Sequence, residues 1–261
     1  IQLGNDIDGQ EANEELGFAV SLSSNGSRVA VSSISDDAGL VRIYEYDSSW
    51  NQLGSDLLGV ATGDNYGRSI SLSSDGSRIA IGAYYYDLST DYADQEKGLV
   101  RILDWNENDS SWNQVGSDIV GETRRHFFGS AVSLSADGSR VAAASRYKNS
   151  QQGSVRIFEW NGTDSSWNQL GQDLDGEGGM DMFGASLSLS LDGTHVAVGS
   201  VNHNGGRGQV KIYEYSNTIW NQLGSTINGE NATDRTGWAV SLSNDGSRVS
   251  IATPNASGGG Y

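Results

Sequence analysis

The chain has 261 residues, enough to bury a sizeable core, and it contains 35 glycines, one proline and no cysteine. It therefore forms no disulfide, and no apolar run reaches the roughly 18 residues that a membrane-spanning helix needs. With 33 acidic against 16 basic residues, the formal net charge is -17. This charge argues against nucleic acid as a partner, because phosphate contacts need clustered lysine and arginine.

A two-strand pattern recurs along the chain, and its clearest copy is FGASLSLSLDGTHVAVGS at residues 183–200. Alternating apolar and polar residues predict two strands, and the Asp-Gly pair between them predicts a hairpin with a type I′ turn. The corresponding turns are Asn25-Gly26, Asp75-Gly76, Asp137-Gly138, Asp192-Gly193 and Asp245-Gly246. Five hairpins are therefore predicted, and their glycines are separated by steps of 50, 62, 55 and 53 residues (26 to 76, to 138, to 193, to 246).

Each hairpin except the last is followed by two further predicted strands. The third strands cover 41–46, 100–105, 155–160 and 210–215, and the fourth begin at Trp50, Trp112, Trp167 and Trp220. Four strands in a repeat of about fifty residues are the signature of a β-propeller blade. We therefore predict an all-β fold, a β-propeller of four-stranded antiparallel blades, as one domain over residues 1–261.

Five blades are predicted, and the last is incomplete because its third strand would begin where the sequence stops. The blades cover about 8–57, 58–119, 120–174, 175–227 and 228–261. Residues 1–7 (IQLGNDI) match the beginning of a fourth strand although they precede the first hairpin. We expect them to form a closing strand on the last blade, which removes an open sheet edge.

The repeated motif F-G-x-(A/S)-(V/L)-S-L-S-x-D-G-S-R-V-A resembles the FG-GAP repeat, the blade motif of integrin-α-like propellers, over essentially the whole chain. The resemblance implies a propeller, and calcium-binding members carry a D-x-D-x-D-G loop between the first two strands. The corresponding turns here hold at most one carboxylate. We therefore expect no metal site and no cofactor, with calcium as the alternative although its usual loop motif is absent.

An acidic residue stands three positions before the repeated glycine in four repeats, as Glu14, Asp64, Asp181 and Asp234, and His126 takes this place in the third. One interpretation is a ring of ligand contacts. The other is that each side chain caps the turn leading into the first strand, as Asx residues do.

The repeated tryptophans and arginines also have two interpretations. The tryptophans at the start of the fourth strands are either sugar-stacking platforms or, as we favour, side chains packed between neighbouring blades. The arginines at the start of the second strands, with a histidine in the fourth repeat, are expected to pair with acidic residues of the third strands. These positions are Arg28, Arg78, Arg140, His195 and Arg248.

The loop after the second strand is longest in the second repeat and is rich in tyrosine and aspartate. Tyrosine combines a large contact area with a polar tip, so this loop is the candidate ligand-binding surface. Its candidate residues are Tyr84, Tyr85, Tyr86, Asp87, Asp91, Tyr92 and Asp94. The alternative is an insertion folded over its own blade.

The three histidines, His126, His195 and His203, fall in no catalytic motif, so no catalytic residue is predicted and the chain is not expected to be an enzyme. Five sequons place candidate glycosylation at Asn25, Asn108, Asn161, Asn231 and Asn255. They suggest an extracellular or cell-surface location.

We predict a non-enzymatic binding or adhesion module with a protein or glycan partner. The alternative is a self-assembling structural subunit of a surface filament, and a glycan-active enzyme ranks third. A partner-binding module would depend on the loop at residues 84–97.

Overall fold

The structure, a computed structural model, describes residues 2–34, 38–87, 91 and 95–256. Four large sheets and one two-stranded sheet follow one another along the chain. The first contains β1 (Val20–Leu22), β2 (Arg28–Ser33), β3 (Leu40–Asp47), β4 (Ser49–Gln52) and β5 (Leu57–Leu58). The second contains β6 (Tyr66–Leu72), β7 (Arg78–Ala83), β8 (Leu99–Asn106), β9 (Ser111–Gln114) and β10 (Ile119–Val120).

The later sheets repeat this order. The third contains β11 (Val132–Leu134), β12 (Arg140–Ser145), β13 (Ser154–Asn161), β14 (Ser166–Gln169) and β15 (Leu174–Asp175). The fourth contains β16 (Phe183–Leu189), β17 (His195–Ser200), β18 (Gln209–Ser216), β19 (Ile219–Gln222) and β20 (Ile227–Asn228). The fifth contains β21 (Val240–Leu242) and β22 (Val249–Ile251). The loops after β12 and β17 hold two four-residue turns that the sequence did not predict, α1 (Lys148–Gln151) and α2 (His203–Gly206), and the inner residues of both have left-handed backbone angles, such as φ +52 at Asn149 and +51 at Asn204.

The pairing within each large sheet confirms the predicted propeller of four-stranded antiparallel blades. In the first sheet β2 pairs with β1 and β3, and β3 pairs on its other side with β4 and then with β5, all antiparallel. The fourth strand is thus divided into two pieces. Gly54, with φ +81, lies between them and turns the chain in a conformation that other residues rarely adopt.

The hairpin turns differ from the predicted type I′, which requires φ > 0 at both central residues. In the second sheet Gly76 has φ +71, whereas Asp75 is not among the residues with positive φ. The Gly76 N–H donates to the Ser73 carbonyl at 2.9 Å, and Asp75 Oδ1 accepts from Ser77 N–H at 2.9 Å and Ser73 Oγ at 2.7 Å. The carboxylate therefore organises a longer turn that satisfies the backbone donors within it.

Neighbouring sheets pack face to face, and the apolar core lies between them. One cluster of buried residues joins the first two sheets and includes Ile43, Ile79, Ile81 and Leu99. At the innermost strands, successive sheets are joined by a hydrogen bond in which a serine hydroxyl of one sheet accepts from a backbone N–H of the next. These bonds are Leu72 N to Ser21 Oγ (2.9 Å), Leu134 N to Ser71 Oγ (3.0 Å), Leu189 N to Ser133 Oγ (3.1 Å) and Leu242 N to Ser188 Oγ (3.0 Å).

The repeated tryptophans join the outer strands of neighbouring repeats, which confirms the packing interpretation. Each indole N–H donates to a backbone carbonyl of the preceding repeat. The bonds are Trp112 Nε1 to Leu53 O (3.0 Å), Trp167 Nε1 to Val115 O (2.9 Å) and Trp220 Nε1 to Leu170 O (2.8 Å). Because these rings pack between neighbouring sheets, they do not form an exposed row of aromatic surfaces on which sugars could stack.

Four of the five predicted side chains at the start of the second strands pair with third-strand acids; for Arg248, in the two-stranded fifth sheet, the described residues show no such pair. The pairs are Arg28 with Glu45 (2.9 Å), Arg78 with Asp104 (2.5 Å), Arg140 with Glu159 (2.8 Å) and His195 with Glu214 (3.9 Å). The guanidinium groups of these three arginines also donate to a glycine carbonyl of the following repeat. The bonds are Arg28 Nη1 to Gly76 O (3.3 Å), Arg78 Nη1 to Gly138 O (2.9 Å) and Arg140 Nη1 to Gly193 O (3.1 Å). The pairs therefore connect repeats as well as strands.

Residues 2–7 form no strand, although the Leu3 carbonyl accepts a hydrogen bond from Trp50 Nε1 at 3.1 Å. The role of residues 1–7 as a closing strand, and the division into blades as given above, stay predictions. In the described part of the chain, neither α1 nor α2 has the length and apolar character needed to cross a membrane.

Candidate functional site

Two kinds of loop meet at one end of the sheets, which we call the loop face. One kind precedes the first strand of each sheet and the other follows the second strand, whereas the hairpin turns lie at the opposite end. The Tyr85 N–H donates to the Asp64 carbonyl at 3.3 Å, and the Asn202 N–H donates to the Asp181 carbonyl at 3.3 Å. The loop face thus brings together side chains that are far apart in sequence, as is usual for binding sites on a rigid scaffold.

The recurrent acidic residues are buried beneath the loop face and cap turns, as the second interpretation predicted. Asp64 Oδ2 accepts from Ala61 N–H at 2.8 Å, and Asp234 Oδ2 accepts from Asn231 N–H at 2.7 Å. Glu14 does the same with the Gln10 N–H at 2.8 Å and also pairs with Arg42. Burial alone would raise the pKa of Glu14, but the hydrogen bonds from the backbone and from Arg42 outweigh it and lower the pKa.

The predicted tyrosine loop packs against the third repeat. The Tyr84 and Tyr85 rings are 4.2 Å apart between centroids, and the Tyr85 ring meets Phe127 edge-on at 5.3 Å. Burial and then the Tyr85 hydroxyl raise the pKa of Tyr84 to about 12, so its phenol is neutral at physiological pH. Tyr86 is partly buried, and Asp87 is exposed and accepts from Glu96 N–H at 2.5 Å.

Of the remaining candidate residues in this loop, the structure describes one. Asp91 is exposed and has at least one partner, and Tyr92 and Asp94 lie outside the described residues. Ligand binding by this loop stays a prediction.

The sequon asparagines lie on the surface, and their glycosylation stays a prediction. Asn25, Asn108, Asn231 and Asn255 are exposed, and Asn161 is partly buried. Within the described ranges no group of three or more His, Cys, Asp or Glu side chains is arranged to hold a metal ion. The expectation of no metal and no cofactor is not tested by this finding.

A cleft of about 570 Å³ opens on the loop face between the fourth and fifth sheets, within the volume range of small-molecule sites. Its lining is rich in amides and glycines, with one carboxylate and one guanidinium. The lining residues are Gly179, Met180, Asp181, Asn202, Asn204, Gly205, Gly206, Thr233, Arg235 and Asn255. We call it the 4/5 cleft.

Asp181 is the carboxylate of the 4/5 cleft and is 6% exposed. Its Oδ2 accepts from the Gly178 N–H at 2.9 Å and lies 3.2 Å from His203 Nδ1. The other three acids of this series have no histidine in an ion pair with them among the described contacts. The fourth repeat therefore adds an imidazole to a carboxylate that elsewhere serves as a turn cap.

The opposite wall of the 4/5 cleft contains Thr233 and Arg235, both in the left-handed region with φ +75 and +56. This conformation is uncommon for residues other than glycine, and for β-branched threonine it is an outlier. The equivalent residues of the fourth repeat, Met180 and Met182, have similar φ values of +69 and +54, so this backbone belongs to the repeated turn. The Arg235 guanidinium lies 5.8 Å from the Trp238 ring.

Sequence reasoning missed a second cluster on the loop face. Arg68 and Arg146 lie among aromatic rings, with the Arg68 Cζ 4.8 Å from the centroid of Phe18 and 5.3 Å from that of Tyr84. Arg146 Cζ lies 4.8 Å from the Tyr147 ring. Neither arginine occupies one of the repeated positions, and that departure from the repeat was the available signal.

Comparison with known proteins gives matches only among solved structures. A scan against protein-family models and a search of curated proteins both return no match. A proposed 6-phosphogluconolactonase of Bacteroides fragilis is 14% identical, with a TM-score of 0.58 over 95% of this chain and 62% of that one. A proposed 6-phosphogluconolactonase of Bacteroides uniformis is 13% identical, with a TM-score of 0.56 over 89% and 57%.

A third neighbour is the periplasmic gluconolactonase of Pseudomonas aeruginosa, 17% identical, with a TM-score of 0.57 over 89% of this chain and 63% of that one. This chain thus spans about three-fifths of the length of the three neighbours. At these identities the likeness shows a shared fold, and fold alone does not fix activity.

These neighbours correct the family resemblance. The FG-GAP identification is wrong, because the matching structures carry lactonase names and none of the three is an integrin. The motif misled for a physical reason: alternating residues and an Asp-Gly turn are what a short antiparallel hairpin needs in many kinds of β-protein.

The functional expectation is corrected by the same finding. The non-enzymatic binding or adhesion module, its filament alternative and the expectation that the chain is not an enzyme all conflict with neighbours named as lactonases. The absence of a linear catalytic motif does not exclude an enzyme, because carboxylates and imidazoles from different loops meet only in three dimensions. What stands is the fold, a β-propeller shared with proteins of that kind.

Proposed function

We propose that this chain is part of a sugar-lactone hydrolase and that the 4/5 cleft holds the lactone. The observation that carries the proposal is the cleft lining, in which one buried carboxylate, one guanidinium and several amides face a space of about 570 Å³. Amide groups suit the hydroxyls of a sugar ring, because they offer both donors and acceptors. The names of the three neighbours support the same substrate class.

Lactone hydrolysis needs a base and a group that stabilises negative charge. Water adds to the carbonyl carbon, the ring C–O bond breaks, and the ring oxygen leaves as a hydroxyl while the carbonyl becomes a carboxylate. In this proposal Asp181 takes one proton from the attacking water and returns it to the ring oxygen as the ring C–O bond breaks, and the second proton, left on the new carboxyl group, is released to solvent. Arg235 stabilises the charge that develops on the carbonyl oxygen and then on the carboxylate of the product.

His203 acts as a positioning residue in this scheme. Its Nδ1 lies 3.2 Å from Asp181 Oδ2, and its Nε2 lies 3.9 Å from Glu177 Oε2. Among the described residues His203 Nδ1 makes no hydrogen bond, so the imidazole acts on Asp181 by contact, limiting the room in which the Asp181 side chain can turn. The other Asp181 oxygen is thereby left for the contents of the cleft.

The decisive variant is Asp181→Asn, assayed for hydrolysis of gluconolactone and 6-phosphogluconolactone above the spontaneous rate. An asparagine keeps an oxygen that accepts from the Gly178 N–H, so the fold is retained while the base is lost. We expect kcat to fall about 10²-fold or more, the usual contribution of a general base. Asp47→Asn, at an exposed carboxylate, is the matched control and should leave kcat unchanged.

Either of two results would count against the proposal. One is an Asp181→Asn variant that retains the parent rate, and the other is a parent chain that does not accelerate either lactone. Thermal unfolding of each variant shows whether a lost rate reflects lost structure.

A location outside the cytoplasm is part of the proposal. One neighbour is named a periplasmic enzyme, and five sequons suit an exported chain. Cell-surface display, a protein or glycan partner and self-assembly remain predictions. Fractionation of the native cells tests the location.

A further inference from the structure

Two arginines on the loop face lack the carboxylate partners that surround most other arginines of the propeller. Arg28, Arg42, Arg78, Arg101, Arg140 and Arg156 each have an acidic oxygen within 3.4 Å. Across the described ranges, Arg68 and Arg146 have no carboxylate within salt-bridge distance, and the Nε atoms of both are buried without a hydrogen-bond partner. We propose that Arg68 and Arg146 together bind an anionic group, a phosphate or a carboxylate.

Arg207, Arg235 and Arg248 also have no acidic partner among the described contacts. Arg68 and Arg146 differ from these three in having a buried Nε without a hydrogen bond. Acidic residues outnumber basic ones by 33 to 16, yet no acid lies against these two guanidinium groups in the described structure. Arg146 Nη2 donates to the Tyr147 hydroxyl at 3.1 Å, which leaves its positive charge uncompensated. Because no carboxylate of the described chain neutralises these guanidinium groups, they can attract an anion from solution.

The two arginines also repel each other. Burial lowers the pKa of Arg68 first, and the positive charge of Arg146 lowers it further. Partly buried like charges cost free energy unless an opposite charge joins them. The cost indicates that the arrangement serves binding rather than stability.

Aromatic rings hold the arginines and exclude water around them. Phe127 lies between the two groups, with its centroid 6.0 Å from that of Tyr84 and 5.1 Å from that of Tyr147. Arg68 lies against Tyr84, and Arg146 lies against Tyr147. Guanidinium groups fixed on aromatic faces lose little entropy on binding, and reduced solvation strengthens their attraction for an anion.

The geometry suits a phosphate or a carboxylate, because a guanidinium presents paired N–H donors that match two oxygens of either group. The neighbouring rings add flat apolar surface for the body of the ligand. This inference does not rest on the proposed lactone hydrolysis, and it concerns a different set of residues from the 4/5 cleft.

The test is calorimetric titration of the whole chain with inorganic phosphate, gluconate and 6-phosphogluconate at constant ionic strength. We expect saturable binding that weakens about tenfold or more in Arg68→Gln and in Arg146→Gln, since a hydrogen-bonded charge pair contributes about 1.5–3 kcal/mol and 1.4 kcal/mol is tenfold. Arg248→Gln removes the same charge from an exposed site at the hairpin end and should bind like the parent.

The three probes separate the sources of the anion. Binding of phosphate and 6-phosphogluconate without gluconate identifies a phosphate site, and equal binding of gluconate identifies a carboxylate site. Binding of none of the probes, or equal binding by the parent and both variants, would overturn the proposal.

Thermal unfolding without ligand shows whether weaker binding by a variant reflects loss of its folded structure. Removing one of two repelling charges should leave the midpoint of Arg146→Gln equal to or above that of the parent, whereas a structural arginine would lower it. Lactone hydrolysis measured on the same samples keeps the two proposals separate. A chain that binds phosphate through Arg68 but hydrolyses no lactone contradicts only the proposed function.

Discussion

A glycine that follows the fourth-strand tryptophan motif lets each repeat lie directly on the next. A Cβ added to Gly171 would be 2.7 Å from Trp220 Cδ1, while one added to Gly224, at the same place in the following repeat, meets nothing within 4 Å. Their φ angles are similar, +77 and +68. Gly224 therefore needs to be glycine only for its left-handed backbone, whereas Gly171 needs to be glycine also because a side chain would collide with Trp220.

We predict that Gly224→Ala costs about 1 kcal/mol, the price of a left-handed alanine. Gly171→Ala should cost a further 1–3 kcal/mol or so, because it overpacks a tryptophan that is 3% exposed. Urea unfolding of both variants measures the difference. Equal losses would mean that the Trp220 ring moves aside at little cost.

Individual residues also show which contacts a repeated sequence pattern can predict. The arginine–acid pairs were predicted because both partners recur at fixed positions of the repeat. Arg68 and Arg146 were not, since neither occupies a repeated position and they meet only across two sheets, Arg68 at the start of β6 and Arg146 just after β12. A repeat reveals what is common to the copies, whereas this cluster depends on what differs.

At the scale of the element, each hairpin turn is organised by one side-chain oxygen. In the first sheet Asn25 Oδ1 accepts from the Ser23 hydroxyl at 2.9 Å and the Ser27 N–H at 2.9 Å. The other four turns use an aspartate in the same way. Hydrogen bonds from Ser243 and Ser247 lower the pKa of Asp245 to about 2.

The pKa of Asp75, Asp137 and Asp192 is also lowered, because hydrogen bonds from neighbouring serines or threonine outweigh the effect of burial. A carboxylate with a native pKa below its unfolded value of about 3.9 stabilises the fold above that pH, and the contribution is lost as pH falls through the native pKa. Acid should therefore weaken the Asp245 turn between about pH 4 and pH 2, and the other three turns as pH falls below about 4.

We predict that replacing these four aspartates by asparagine keeps the midpoint of thermal unfolding at pH 7 near that of the parent and reduces its fall towards pH 2. Asn25 shows that an amide supports the same turn. Thermal unfolding at several pH values measures the effect. An unchanged acid profile would assign the acid sensitivity to other carboxylates, such as Glu14.

At the scale of the molecule, stability is distributed over contacts between successive sheets. The Trp112 N–H donates to the Leu53 carbonyl across the first such junction, and Trp112 is 8% exposed. The equivalent bond of Trp50 ends on Leu3, which is 62% exposed. Repeat proteins hold together through such nearest-neighbour contacts.

Trp112→Phe should therefore cost about 1–3 kcal/mol, because the Leu53 carbonyl is left without its partner in a partly buried place. Trp50→Phe should cost less, since water replaces the indole at the exposed Leu3 carbonyl. Denaturant unfolding of the two variants provides the comparison. A larger loss for Trp50→Phe would show that residues 2–7 are a more important part of the fold than their exposure indicates.

The sequence by itself determined the all-β class, the repeated hairpins, the packing of the tryptophans and the pairing of the second-strand arginines. Each of these depends on local alternation or on a position repeated in every copy, and such signals survive without knowledge of the packing.

The tertiary structure alone decided the type of turn, the division of the fourth strand, the 4/5 cleft and the cluster of Arg68 and Arg146. It also placed Asp181 beside His203, two residues of different loops. These features arise where loops from separate repeats converge, and the distance between side chains on different loops is fixed by the packing of the sheets, not by their separation in the chain.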